Sequence, residues 1–194
     1  MVIIYMDKKE RIINAAIKLF GEKGIENTKI SDIAKEARIA QGTFYLYFPS
    51  KLSVMPAIAD VMISEMIQSI RSNVSTDLDF FGKIEQLIDT VFEVTEKHKE
   101  LVGIIYAGLS ASDFLDEWVD AYEPYYSWLT NLLDSANKNN EIHLVIDSLQ
   151  TAKILWGLIE AAAERAYLFD EKEKNLILQD KKDVLIFIKK ALTR

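Results

Sequence analysis

The sequence has no cysteine and only three prolines and seven glycines among its 194 residues. Without cysteine the chain can hold no disulfide, no thiol nucleophile and no zinc site built on thiolates. So few helix-breaking residues favour helices with short connections over a sandwich or barrel of strands. Hydrophobic residues are 49% of the chain and charged residues 27%, which is typical of a folded globular protein. We therefore expect an all-α fold of one or two domains.

Long apolar runs are also absent, and none approaches the roughly 18 residues that a membrane-spanning helix needs. The apolar stretch at residues 1–5 is too short for the core of a signal peptide, and no basic residues precede it. We expect a cytoplasmic protein with no membrane partner.

Catalytic motifs are missing as well. The only histidines, His98 and His143, do not have the spacing of a metal-binding pair. No glycine-rich phosphate loop or nucleophile elbow is present. We expect no enzymatic activity, no cofactor and no bound metal.

Charge is divided unequally along the chain, whose formal net charge is -7. Residues 1–52 contain nine basic and six acidic residues, whereas the remainder contains 14 basic and 24 acidic ones. A basic head on an acidic body suits a polyanionic partner for the head alone. Ordinary variation in surface charge explains this division equally well.

The first fifty residues show the hydrophobic spacing of three helices. Apolar residues recur at helical spacing in the first of them, at Ile12, Ala16, Leu19 and Phe20. A second helix is predicted over residues 31–38, capped by Thr28 or Ser31. A third is predicted over residues 41–48, with Pro49 ending it. Two short helices joined by a three-residue turn behind a longer one form a helix-turn-helix.

The third helix has two different faces. At about 100° per residue, Phe44 and Phe48 share one face, which we expect to be buried. The opposite face is small and nearly uncharged, and consists of Gly42, Thr43 and Leu46 with Tyr45 and Tyr47 on its flanks. Such a face can enter a major groove, with the tyrosine hydroxyls reaching phosphates on both walls. Packing is the alternative role for the two tyrosines.

Three further contacts with DNA follow from this placement. Leu46 can touch a thymine methyl group, and Gln41 can pair with adenine or with a phosphate. Lys51, just past the helix, is expected to contact a phosphate.

Two stretches carry a specific resemblance. Residues 28–34 are TKISDIA and residues 41–51 are QGTFYLYFPSK. They resemble the DNA-binding domain of the TetR family of transcriptional regulators, over roughly residues 7–55. The resemblance implies a homodimeric repressor whose C-terminal domain binds a small effector and dimerises. The DNA contacts that it implies fall on Thr43, Tyr45, Tyr47 and Lys51, with Lys29 as a further candidate.

Two residues depart from the family pattern. Arg38 stands in the turn where the family usually has glycine, and a non-glycine residue in a left-handed conformation costs on the order of 1 kcal/mol. Ala40 stands where serine or threonine often caps the recognition helix, and a lost cap costs about 1 kcal/mol. We expect a slightly altered turn, with the contact by Gln41 less well defined.

The remaining chain is predicted to form a larger helical domain over residues 52–194, after a DNA-binding domain over residues 7–51. Its helices are predicted over residues 52–72, 80–97, 100–109, 112–137, 144–169 and 181–192, which makes about nine in all. Pro124 would kink the fourth of these.

Aromatic and acidic residues of this domain are candidates for an effector pocket. Tyr122 and Tyr125 fall on an inward side of their helix, and the neighbouring acids lie opposite. Glu160 shares an apolar stripe with Trp156 and could anchor a ligand, or pair with Lys153 or Arg165. The candidate pocket residues are Met62, Met66, Phe92, Trp118, Tyr122, Tyr125, Trp156 and Glu160. Core packing is the alternative for all of them.

The last two helices favour a dimer interface. Residues 184–188 are apolar on every side, so this helix needs burial on two fronts. The candidate interface residues are Gly157, Ala161, Val184, Phe187 and Ile188. A twofold dimer predicts a palindromic DNA site.

Together these observations predict a sequence-specific transcriptional regulator that binds double-stranded DNA. We expect a homodimeric repressor that a small apolar or aromatic effector releases from its operator. The alternative is a DNA-bound platform that acts through a protein partner without an effector.

Overall fold

Helices account for all the regular structure in the described part of the chain. The computed structural model describes residues 7–109, 122–169 and 173–193, and these form nine α-helices and no strand. The helices are α1 (Lys8–Lys23), α2 (Ile30–Glu36), α3 (Gln41–Tyr45), α4 (Met55–Asn73), α5 (Phe80–Lys97), α6 (Lys99–Leu109), α7 (Glu123–Lys138), α8 (Ser148–Glu164) and α9 (Lys174–Leu192). The predicted all-α fold is confirmed. None of the described helices is long and apolar enough to cross a membrane.

Contacts divide the chain into two units. Unit one comprises residues 1–62 and 100–120, and unit two comprises residues 63–99 and 121–194. The contact boundary therefore falls inside α4, and α6 joins the helix-turn-helix rather than the C-terminal helices. The division of function at residue 51 stays a prediction.

Unit one is built around the inner faces of α1, α2 and α3. Phe44 and Phe48 are only 0% and 5% exposed, and their ring centroids lie 5.8 Å apart. The same cluster takes in Leu101, Ile104 and Ile105 of α6, which local periodicity did not assign to it. The predicted burial of both phenylalanines is confirmed.

The connection between α1 and α2 differs from its prediction. Lys29 is the N-cap residue of α2, and its amide donates to the Asp32 carboxylate at 3.3 Å. The buried Thr28 hydroxyl instead donates to the carbonyls of Leu19, at 3.2 Å, and Gly24, at 2.8 Å. The prediction of a cap by Thr28 or Ser31 is therefore wrong, because the threonine closes the preceding turn.

The turn between α2 and α3 keeps the left-handed conformation in spite of its arginine. Arg38 has a φ of 54°. Ala40 precedes α3 as its N-cap residue and makes no side-chain cap. Helix α3 is shorter than predicted, since it ends at Tyr45, although the amide of Phe48 still donates to the carbonyl of Phe44 at 3.0 Å.

Unit two packs α8 against α5, α7 and α9. Helix α8 begins at Ser148 and not at residue 144, because the Asp147 side chain caps it by accepting from the amide of Gln150 at 2.9 Å. Helix α9 begins at Lys174, seven residues before its predicted start.

Pro124 lies in the first turn of α7, where a missing N–H leaves no helical hydrogen bond unmade. It therefore begins α7 and does not kink it.

Candidate nucleic-acid interface and ligand site

The outer face of α3 and of the two residues that follow it is exposed, as predicted. Tyr45 is 50% exposed, Leu46 82% and Tyr47 42%. Gln41 is exposed as well, and Thr43 is half-buried. Because Phe44 and Phe48 hold the inner side, these residues lie together on the outer side of a short helix and the turn after it.

Lys29 and Lys51 differ in what surrounds them. Lys29 is exposed at the start of α2, and its ammonium makes no ion pair with any described residue. The Lys51 ammonium donates to the carbonyls of Ile25 at 2.5 Å, Thr28 at 3.0 Å and Glu26 at 3.4 Å.

An ammonium has three hydrogens, and Lys51 directs all of them at the connection between α1 and α2. The residue therefore ties the start of α4 to the turn that positions α2. As it is placed here, no hydrogen remains for a phosphate, and the predicted phosphate contact stays a prediction.

In unit two the structure brings four of the predicted pocket residues together. The rings of Tyr125 and Trp156 stack with centroids 4.0 Å apart, and both are buried. Tyr122 lies edge-on to Tyr125, and its hydroxyl donates to a Glu160 carboxylate oxygen at 3.2 Å. The buried Trp156 indole N–H makes no hydrogen bond of ordinary geometry.

Glu160 is the electrostatic centre of this cluster. Burial raises the pKa of its carboxyl to about 7, and the negative charge of Glu164 adds to the rise. The polar hydrogens of Tyr122 and Trp156 act in the opposite direction. A carboxyl in this state can donate or accept a hydrogen bond near neutral pH.

The predicted pairing of Glu160 with a cation is wrong. Among the described residues it has no ion pair with Lys153 or Arg165. The Lys153 ammonium lies over the ring of Tyr126, 5.6 Å from its centroid. Periodicity placed these groups on one helix but could not show which way a long side chain turns.

The other predicted pocket residues do not all join the cluster. Phe92 is fully buried and packs edge-on against Tyr167, with centroids 6.2 Å apart. Met66 is buried in unit two, whereas Met62 belongs to unit one. Trp118 lies outside the described residues.

Two of the predicted interface residues are buried within the chain itself. Val184 is 7% exposed and Ile188 is 0% exposed, so neither can supply a surface for a partner. The reason is that α9 turns this side towards the core of unit two. Phe187 on its other side is exposed, as are Gly157 and Ala161 on α8.

Comparisons with known proteins identify the family. The chain matches the family model described as "Bacterial regulatory proteins, tetR family" over residues 12–58, and the "Tetracyclin repressor-like, C-terminal domain" over residues 84–192. It is 40% identical over 185 residues to the HTH-type transcriptional regulator YvdT of Bacillus subtilis (strain 168), covering 95% of each chain.

The chain belongs to the TetR family of transcriptional regulators. This is a family of regulators and not of enzymes.

Two solved TetR-like structures share the fold. The transcriptional regulator FadR from Bacillus subtilis, in complex with stearoyl-CoA, has a TM-score of 0.77 and 21% identity, covering 93% of this chain and 97% of its own. Thermus thermophilus FadR, in complex with lauroyl-CoA, has a TM-score of 0.72 and 19% identity, covering 94% of each chain. At these identities the likeness concerns the fold alone.

Replacing Lys51 by methionine tests whether this lysine stabilises the fold or contacts a phosphate. We expect the free energy of unfolding, measured with urea, to fall by about 1–2 kcal/mol, because hydrogen bonds from a charged group are lost. The dependence of DNA affinity on salt should not change. In Lys29→Met, the matched control, stability should stay within about 0.5 kcal/mol of wild type. A shallower salt dependence with unchanged stability in Lys51→Met would instead make Lys51 a phosphate contact.

Glu160→Gln tests the burial of the carboxyl. Since folding raises the pKa of Glu160 from 4.5 to about 7, the folded state holds more protons between these values, and its stability falls as the pH rises through this range. Glu160→Gln has no carboxyl to titrate at this position, so its stability does not fall in this way. We expect it to be more stable than wild type by about 1–3 kcal/mol at pH 8 and equal to it near pH 4.

Urea unfolding at a series of pH values measures this difference. Glu123→Gln, on the exposed side of α7, removes a carboxylate from the surface and should give no such trend. A constant difference between Glu160→Gln and wild type from pH 4 to pH 8 would contradict the assignment.

Proposed function

We propose that this TetR-family regulator is a homodimeric repressor, which reads a palindromic operator with α3 and leaves it when unit two binds a small effector. The observation that carries the proposal is the outer face of α3, with its exposed tyrosines and leucine over two buried phenylalanines. An apolar side chain as exposed as Leu46 gains nothing from water, but it suits contact with a thymine methyl group.

The tyrosines support an interaction that orients the head on DNA. Their hydroxyls lie at the edges of the face, where groove walls present phosphate oxygens. Phosphate contacts of this kind fix the position of a recognition helix, while Gln41, Thr43 and Leu46 are left to read bases.

The exposed sides of α8 and α9 support dimerisation. Ile186 and Phe187 are exposed on α9, and Gly157 and Ala161 leave room on α8 for the close approach of another helix. A second copy of the chain would bury these apolar groups. Twofold symmetry then places the two recognition helices about 34–36 Å apart, or a multiple of this distance, on a palindrome.

The Glu160 cluster supports an effector with an apolar body and one polar group. Half-buried Tyr122 offers aromatic surface beside the buried pair Tyr125 and Trp156, and the Glu160 carboxyl offers a polar end. Solved structures of the same fold were obtained with stearoyl-CoA and lauroyl-CoA, so acyl thioesters are the first probes. An effector that binds one conformation of the regulator more tightly shifts the population away from the DNA-binding one.

The double variant Tyr45→Phe/Tyr47→Phe tests the DNA interface. Removing both hydroxyls should weaken binding at fixed salt about tenfold or more on any duplex, because two phosphate contacts are lost. Fluorescence anisotropy measures this on a duplex that wild-type protein has selected from a random-sequence pool. The selected duplex should be palindromic and bind two chains.

Tyr106→Phe, at an exposed tyrosine of α6, is the matched control and should bind as wild type does. Unchanged affinity in the double variant, or failure of wild-type protein to select any duplex, would contradict the proposed interface.

Release from that duplex tests the effector. Lauroyl-CoA should raise the melting temperature of the free protein and dissociate the complex, because a ligand of the native state stabilises it. Free coenzyme A and laurate at equal concentration separate recognition of the headgroup from recognition of the chain. A lack of any response to acyl, aromatic and other lipophilic ligands, with a protein captured on the DNA-bound regulator, would favour the platform function instead.

A further inference from the structure

A groove in unit one has a net positive charge, and no residue of α3 lines it. It lies between α1 and the end of α2, with a volume of about 340 Å³, and its lining includes Arg11, Asn14, Lys18, Glu36 and Arg38. Three of these side chains are cationic and one is anionic. Nothing in the sequence pattern singled out Arg11, because one arginine in an amphipathic helix is ordinary.

The charges in this groove do not cancel. Lys18 and Glu36 pair with each other, with 2.6 Å between the ammonium nitrogen and a carboxylate oxygen. Neither Arg11 nor Arg38 forms an ion pair or a side-chain hydrogen bond with any described residue. The Nε of Arg11 is buried and has no hydrogen-bond acceptor. A buried donor of a charged group without an acceptor is costly, and a ligand oxygen would remove this cost.

Arg38 adds a second and independent indication. Its φ of 54° places it in the left-handed region, where glycine would be free of strain. The hydrogen bond from Lys18 lowers the pKa of the Glu36 carboxyl and the charge of Arg38 adds to this effect, but the Arg38 guanidinium makes no direct ion pair or hydrogen bond with a described residue. An arginine in a strained backbone position, with its guanidinium left in this state beside a groove, points to a use for that guanidinium. The strain lies three residues before the first residue of α3.

Guanidinium groups suit one ligand chemistry above others. Their planar N–H groups match the oxygens of a phosphate, and they do so in pairs. We propose that Arg11 and Arg38 bind a phosphate oxyanion in this groove. The backbone of the DNA that α3 reads is the source that the position of Arg38 favours. This assignment to DNA rests on the proposed function, whereas the oxyanion site itself does not.

The salt dependence of DNA binding tests the site in the full-length protein. For Arg11→Met and for Arg38→Gly, the slope of log affinity against log salt on the selected duplex should become shallower by about 0.9 each, and the affinity at 0.15 M salt should fall about fivefold. Arg11→Lys keeps the charge and should restore the slope. Arg71→Met, at an exposed residue of α4 in unit two, is the control for net charge and should change neither quantity.

Arg38→Gly has a signature that a structural role would not give. Relief of the backbone strain should raise the melting temperature by about 2–4 °C, while DNA binding becomes weaker. A melting temperature that rises with undiminished affinity would show that Arg38 holds no phosphate.

Inorganic phosphate, added to free protein at constant ionic strength, distinguishes the source of the oxyanion. Suppose that phosphate raises the melting temperature of wild type, that Arg11→Met abolishes this rise, and that Arg11→Met leaves the salt slope of DNA binding unchanged. This result would assign the site to free phosphate or a phosphorylated small molecule. The site would be overturned if the double variant Arg11→Met/Arg38→Gly had the same salt slope of DNA binding and the same response to phosphate as wild type. If wild-type protein binds no duplex, the proposed function fails, and the phosphate titration alone then decides this inference.

Discussion

The burial of Phe44 and Phe48 in unit one is the interaction on which the exposed face of α3 depends. Helix α3 has only five residues and no side-chain cap, so its own hydrogen bonds cannot hold it in place. The two phenylalanines fix its rotation, and that rotation alone decides that Tyr45, Leu46 and Tyr47 face outwards. A change that loosened this core would therefore disturb the outer face of α3 without altering any residue of that face.

The core around these phenylalanines draws on a distant part of the chain. Residues of α6 belong to it, although they follow α5, which lies in unit two. Boundaries between the two units thus fall inside α4 and after the first residue of α6.

Two buried N–H groups with poor hydrogen bonding lie where function is proposed. The Arg11 Nε is buried without an acceptor in unit one, and the Trp156 N–H is buried in unit two beside the Glu160 carboxyl, without a hydrogen bond of ordinary geometry. Lys51 shows the opposite case, since its charge is satisfied by three backbone carbonyls. A buried donor that lacks an acceptor has free energy to gain from a ligand, and one that is already satisfied has none.

The sequence by itself determined the helix-turn-helix, the two faces of α3 and the inward side of Tyr125, because each follows from a helical period within a dozen residues. It also indicated the left-handed position of Arg38, through the resemblance of one short motif. Only the tertiary structure decided what several side chains contact. Lys51 donates to carbonyls near Thr28, Glu160 accepts from Tyr122, and Val184 packs in the core of unit two. These outcomes depend on neighbours that are distant in sequence, and a periodic pattern holds no information about those neighbours.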